Sequence, residues 1–290
     1  VTRSVAVGGF TFSVPATVDA EGSRWTLTSI DGWENSGSGV RRDSADRPAR
    51  HGAFAVPGFR TGRSVAFGGL VECSSRAIAA STTAALAALL ADGTDADLTV
   101  VDVDEPTMTA SVGLASLPVV DWPTGLVIEC AFELWAPDPL RYATPVVVAK
   151  GFAQLLGGLE FDLFTDGTDV TGMLEYGDPG TETGMVDVTN TGTAPAWLVF
   201  TVTGPTPAEG FDILVAGDRL RFSAALSTGQ TLVIDTADGT VLLDGVDRRV
   251  LLTIREWRAV AKGETATVVF TPLGGPTSGQ LSVSLAAAFW

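Results

Sequence analysis

Histidine occurs once in this chain, as His51, so a Ser-His-Asp or Cys-His nucleophile would have to be built on that residue. Its surroundings are rich in arginine and hold no carboxylate placed to orient it. Asp102 and Asp104 stand two apart just before Glu105 and Pro106. That spacing puts two carboxylates on one face of a strand, as acid/base pairing or a hard cation requires. Acidic residues on the solvent face and turn of an edge strand are the commoner case. Trp197 and Trp257 could stack on sugar rings if exposed, but Ala196, Leu198, Phe200 and Ile254 beside them favour the core. The two cysteines, Cys73 and Cys130, are far apart, which suits reduced core thiols better than a staple. No P-loop, dinucleotide fingerprint or CxxC pair is present. The expectation is therefore a chain with no catalytic residue, no metal and no cofactor. Arg41, Arg42, Arg47, Arg50, Arg60 and Arg63 crowd together against Asp43 and Asp46. They read either as a docking arm for acidic neighbours, which the planar guanidinium fork suits, or as a solvated loop.

These groups must be held by strands, for the chain alternates polar and apolar residues almost throughout. Gly229 to Phe270 sets the pattern as a β-meander: Leu232, Ile234, Val241, Leu243, Leu251, Thr253, Val268 and Phe270 fall at intervals of two. Asp238-Gly239 and Asp244-Gly245 supply the left-handed residues of tight hairpins, and Lys262-Gly263 opens a further turn. One helix is expected over Ser81 to Ala91, capped by Ser81 or Thr82, with Leu86, Leu89 and Leu90 on one face and Gly93 at its end. Pro137, Pro139 and Pro145 forbid a continuing central strand and close a first domain. The boundaries that follow are 1–145 for a sheet with one packed helix, 146–184 for a linker and irregular edge strand, and 185–290 for an antiparallel β-sandwich. The chain is mainly β.

The Gly-x-x-Leu-x-Ile-Asp strand, the VLLDGVDRR return, Trp257 and the KGE turn leading into TVVF resemble the C-terminal domain of siphophage distal tail proteins over most of residues 186 to 271. The strand from Arg63 through Phe67 to Gly69, the Arg50-His51-Gly52 before it, and FELWAPDPLRYATP resemble the ring-forming domain of the same family. This resemblance implies a galectin-like, carbohydrate-binding-module-like sandwich hung on the outside of a tail ring. It also implies hexamers that join the tail tube to the baseplate or tail tip of a long-tailed phage, with tube and tail-tip proteins as partners.

Composition sets bounds on the alternatives. The chain has 290 residues, enough for two ordinary domains. It is 46% hydrophobic yet carries a net charge of −16, so apolar surface must be hidden by folding or assembly. No apolar run approaches the roughly 20 residues of a spanning helix, and the first residues alternate like a strand instead of forming the solid apolar core of a secretion signal. Residues 1–150 carry 11 basic and 17 acidic groups, and residues 151–290 carry 7 and 17. Both halves repel phosphate, so specific nucleic-acid binding is not expected, and an acidic lumen would let DNA pass. The expected place is the virion tail, assembled in host cytoplasm. The competing reading is a carbohydrate-binding module that adheres to host cell-wall polysaccharide.

Overall fold

The computed structural model describes residues 2–34, 37–152, 183–275 and 277–290. The chain forms two compact units, Val1–Thr144 together with Ala288–Trp290, and Pro145–Ala287. In chain order the first unit contains β1 (Arg3–Val7), β2 (Phe10–Val14), β3 (Thr17–Val18), β4 (Arg24–Asp31), β5 (Ser38–Arg41) and β6 (Phe59–Glu72), then α1 (Arg76–Ala87). It continues with β7 (Ala96–Asp102), β8 (Met108–Leu114), β9 (Val119–Thr124), β10 (Val127–Ala136) and β11 (Arg141–Ala143). The second unit holds β12 (Val146–Gly151), β13 (Met185–Thr189), β14 (Leu198–Thr203), β15 (Phe211–Val215), β16 (Asp218–Phe222), β17 (Thr231–Asp235) and β18 (Thr240–Leu243). It ends with β19 (Val246–Asp247), β20 (Leu252–Arg255), β21 (Thr265–Pro272) and β22 (Gln280–Leu285), after which β23 (Ala288–Phe289) returns to the first unit.

The first unit is one curled sheet. β8 pairs with β7 along one edge and with β11 and the Leu134–Trp135 end of β10 along the other, so the sheet closes on itself. Strict alternation drives this: Ile128, Cys130, Phe132, Leu134 and Ala136 of β10 all point inward, as do Val65 and Phe67 of β6. β1 and β2 are joined through Gly8-Gly9, both with positive φ, because a two-residue hairpin between Val7 and Phe10 needs left-handed backbone at both positions. Phe12 sits at the centre with its ring against Trp25, Phe67 and Phe132. A Cβ on Gly69 would come within 2.3 Å of the Phe12 ring, so that glycine makes room for the core.

The helix differs from expectation. It begins five residues earlier, at Arg76, capped by the Ser75 hydroxyl, which accepts a hydrogen bond from the Ile78 amide, and it stops at Ala87. Leu89 and Leu90 follow it, Leu90 with φ of 52°. Ala79 and Leu86 are the helical residues buried in the core. The alanine-rich first turns carry little amphipathic signal, so the cap alone marked the true start.

The second unit is a sandwich of a six-stranded sheet, β12-β22-β14-β17-β18-β19, and a five-stranded sheet, β13-β21-β15-β16-β20. Its core stacks Phe270 on Phe152 at 3.7 Å between ring centroids, with Phe211 edge-on to Phe270 at 5.3 Å. The meander holds only through β17, β18 and β19; β20 crosses to the other sheet, and Leu252 rather than Leu251 turns inward there. A bulge between Arg221 and Phe222 accounts for the one-residue shift. Asp244-Gly245 forms the tight turn expected of it. The turn at Asp238-Gly239 is longer, running from Asp235 to Thr240, because Thr236 is drawn to β14: its amide and hydroxyl donate to the Leu198 carbonyl, and its hydroxyl accepts from the Leu198 amide.

Two expectations about organisation are revised. β12 pairs along its whole length with β22, so Val146–Gly151 is sandwich rather than linker; residues 153–182 of the expected linker lie outside the described residues. The closing stretch LSVSLAAAFW, expected as one last strand of the sandwich, divides: Gln280–Leu285 pairs in the sandwich with β12 and β14, and Ala288–Phe289 pairs with β11. Strand β9 was missed because Pro123 lies within it, a residue tolerated only where one edge is unpaired.

Candidate functional site

Five of the six arginines belong to a projecting hairpin. β5 pairs with Phe59–Arg63 of β6, and residues 42–58 between them are held by a second small ladder: Asp46 bridges Ala53, the Arg47 amide donates to Gly52, and the Phe54 amide donates to Ala45. Arg41, Arg42, Arg47, Arg50 and Arg60 are exposed on it. So are Val40, Phe54 and Phe59, each more than half accessible. The Arg47 guanidinium lies 5.7 Å from the Phe54 ring centre, and Arg60 lies 4.8 Å from that of Trp290. A basic, aromatic-bearing surface of this kind suits an acidic partner. His51 is exposed in the same hairpin.

Arg63 stands apart from this arm. It is 1% exposed and works as a clamp: Nε and Nη2 donate to the Pro139 carbonyl at 3.0 and 2.8 Å, and Nη1 donates to the carbonyls of Gly32 and Trp33 at 3.0 and 2.6 Å. Burial, then the nearby charges of Arg141 and Arg60, push its pKa down to about 10, which leaves it charged at neutral pH. Arg141, also buried, donates to the Trp290 carbonyl at 2.7 Å and lies 5.6 Å from the Trp33 ring centre. The β-period hid this role. Arg63 occupies an inward position of β6, in phase with Val65 and Phe67, and its neighbours in sequence drew it into the wrong group.

Asp102 is a member of an ion pair. Its carboxylate accepts from Arg3 Nε at 2.8 Å, and this bond above all holds its pKa below the usual carboxylate value. Arg3 also pairs with Glu34. Among the described residues no group of His, Cys, Asp and Glu is arranged to hold a metal ion. Cys73 and Cys130 are buried and unbridged; burial pushes the Cys130 thiol up to about 12.

The sheet carries a second feature that sequence reading passed over. β4, β6, β10 and β9 lie side by side, and their outward residues form cross-strand rows. Asp31, Ala66 and Glu133 make one row, Ser29, Gly68, Ala131 and Val119 a second, and Glu129 faces Asp121 beyond them. The face is acidic, and most of its other side chains are small. A cleft between β4 and β9 is lined by Thr28, Ser29, Gly68, Val119, Asp121 and Glu129. The outward acids, which come from three strands scattered in sequence, could be assembled only once the strand order was known.

Both tryptophans depart from the core reading. Trp197 is 39% exposed, because alternation turns Ala196, Leu198 and Phe200 inward and Trp197 outward. Trp257 is half-buried, its indole 3.5 Å from where Gly239 would carry a Cβ. Trp257→Ala is accordingly expected to lower stability by only about 1 kcal/mol, well under the roughly 3–5 kcal/mol of a fully buried aromatic. Thermal unfolding of the full chain checks this, and a loss in the larger range would restore the core reading.

Residues 191–274 match the family model of the siphovirus-type tail component, C-terminal domain. No curated protein matches the sequence. Among solved structures, the crystal structure of SPP1 Dit, presented as a paradigm of the hub adsorption apparatus in phages infecting Gram-positive hosts, aligns with a TM-score of 0.65 at 13% identity over 99% of both chains. Two structures of the phage p2 baseplate in its activated conformation also align. The one with strontium has a TM-score of 0.53 at 9% identity over 97% of both chains, and the one with calcium 0.51 at 9% over 98% of both. By sequence, then, residues 191–274 are similar to the C-terminal domain of siphovirus-type tail components, and by fold the chain is similar along its whole length to SPP1 Dit.

Proposed function

We propose that this chain is the distal tail protein of a long-tailed phage, forming a hexameric ring that joins the tail tube to the baseplate. The observation that carries the reading is the end-to-end agreement of fold with SPP1 Dit. Two features of the first unit support it. The arginine arm, Val40 to Arg60, offers basic and apolar surface to an acidic neighbour, and each copy of this chain is itself acidic. A heterologous contact of this kind, repeated about an axis, closes a ring. The acidic outward face of β4, β6, β10 and β9 suits the wall of a DNA passage, because it repels phosphate.

In this reading residues 1–144 with 288–290 are the ring-forming unit, and tail-tube and tail-tip proteins are the partners. Replacement of residues 42–58 by a two-residue turn is expected to leave the fold intact and to reduce the chain to a monomer, somewhat lighter than the 30.0 kDa of the parent chain. Light scattering reads the mass of both forms, and a shortened variant that assembles like the parent would remove the arm from the interface.

A second reading draws on one observation, the exposure of Trp197. An outward indole next to the Asp235–Thr240 turn, beside which Trp257 also lies, could stack on a pyranose of a host cell-wall polysaccharide. Binding of wall polysaccharide by the parent, with loss in Trp197→Ala, is the outcome that would favour it.

A further inference from the structure

We infer that Trp290 is a positioning residue for the arginine arm: its indole, carried back to the first unit by β23, braces the foot of the hairpin and so admits to assembly only copies made through that residue. The inference rests on the reading of the arm as a contact between copies and adds what holds the arm in place.

The brace is a chain of alternating cations and indoles. Arg60, at the foot of the arm on β6, has its guanidinium 4.8 Å from the centre of the Trp290 ring. The Trp290 carbonyl accepts from Arg141 Nη2 at 2.7 Å, across 149 residues of sequence. Arg141 in turn lies 5.6 Å from the Trp33 ring centre, and the Trp33 carbonyl accepts from Arg63 Nη1 at 2.6 Å. Arg63 stands on the same strand as Arg60, so the chain of contacts begins and ends on the strand that bears the arm.

The foot of the arm needs such a brace for two reasons. Arg60, Arg63 and Arg141 are near enough for their charges to oppose one another. Glu34, Glu105 and Asp138 offset the charges of the buried pair; at Arg60 the group described is the negative face of the Trp290 ring. The second reason is that the arm stands on few contacts. Among the described residues β5 pairs with β6 alone, across a register shift between Ser38 and Val40, and an isolated two-stranded hairpin is marginal in water. Trp290 is 37% exposed, too open for burial alone to fix its ring. β23 places it instead, through the pairing of Ala288 with Tyr142 and of Phe289 with Arg141. These residues come from the far end of the described chain, so the brace is the last part of the first unit to be synthesised.

Light scattering of the full-length protein across a dilution series tests the brace. Trp290→Leu, which keeps an apolar side chain and loses the ring, should come apart at a concentration about tenfold higher than the parent, with thermal unfolding of the first unit little changed. Trp290→Tyr, which keeps a ring face, should restore most of the difference. The double variant Arg60→Leu with Trp290→Leu should be no weaker than Arg60→Leu alone, because one contact is lost in both. A Trp290→Leu chain that assembles like the parent, or effects of the two substitutions that simply add, would overturn the brace and leave the ring reading standing. A parent that stays a single chain at every concentration would overturn the ring reading and the role in assembly. In that case unchanged hydrogen exchange of the β5 amides in Trp290→Leu would overturn the brace as well, and faster exchange would uphold it.

Discussion

Arg63→Met is expected to lower the stability of the first unit by about 3–5 kcal/mol, the range for removing one member of a buried, fully bonded charged group. The methionine fills most of the same volume but donates nothing, so the carbonyls of Gly32, Trp33 and Pro139 lose their partner together. Each buried acceptor left unmade costs about 1–3 kcal/mol. Those carbonyls lie in the segment that follows β4 and in the segment between β10 and β11, so the substitution unpins two connections from β6 at once. Arg63→Lys should recover little, because a single ammonium cannot reach carbonyls on opposite sides of a planar fork. Urea unfolding followed by tryptophan fluorescence would measure both variants. A loss below about 1 kcal/mol for the methionine variant would show that the clamp contributes little net stability.

Phe270→Ala should cost the second unit about 3–5 kcal/mol, through lost transfer free energy and the cavity left behind. Phe270 is fully buried and touches Phe152 and Phe211, residues from two other strands or their ends. Rigid rings on both sides cannot collapse into the space. Phe270→Leu, which keeps the site apolar and most of its volume, is expected to cost much less, under about 1.5 kcal/mol. In calorimetry of the full chain, both changes should lower the transition of the second unit and spare that of the first. Equal effects of the two substitutions would mean that the ring stack adds nothing beyond apolar area.

The strand content of the chain was legible in its sequence because a half-buried strand writes its period of two directly into side-chain polarity. β10 and the stretch from β14 to β18 carry that record without interruption. What failed to show was partnership. Nothing in LSVSLAAAFW marks the point after Leu285 where the chain leaves one unit and pairs with β11 of the other. The arginines show the same limit: six in one stretch look alike in sequence, yet the phase of β6 sends Arg63 inward and leaves Arg60 at the surface. Trp197 was misread for the converse reason. Its apolar sequence neighbours belong to the opposite face, and only residues two apart share its side. The resemblance to tail components lay in a few turns and aromatic positions, and the agreement of fold extends it to residues where sequence identity is only 13%.

The central claim is that copies of this chain close into a hexameric ring, and native mass spectrometry of the purified full-length protein tests it most directly. The account predicts one dominant species with the mass of six 30.0 kDa chains, resistant to dilution and dissociated by removal of residues 42–58. A spectrum dominated by the single chain, or by open-ended assemblies of no fixed number, would contradict it.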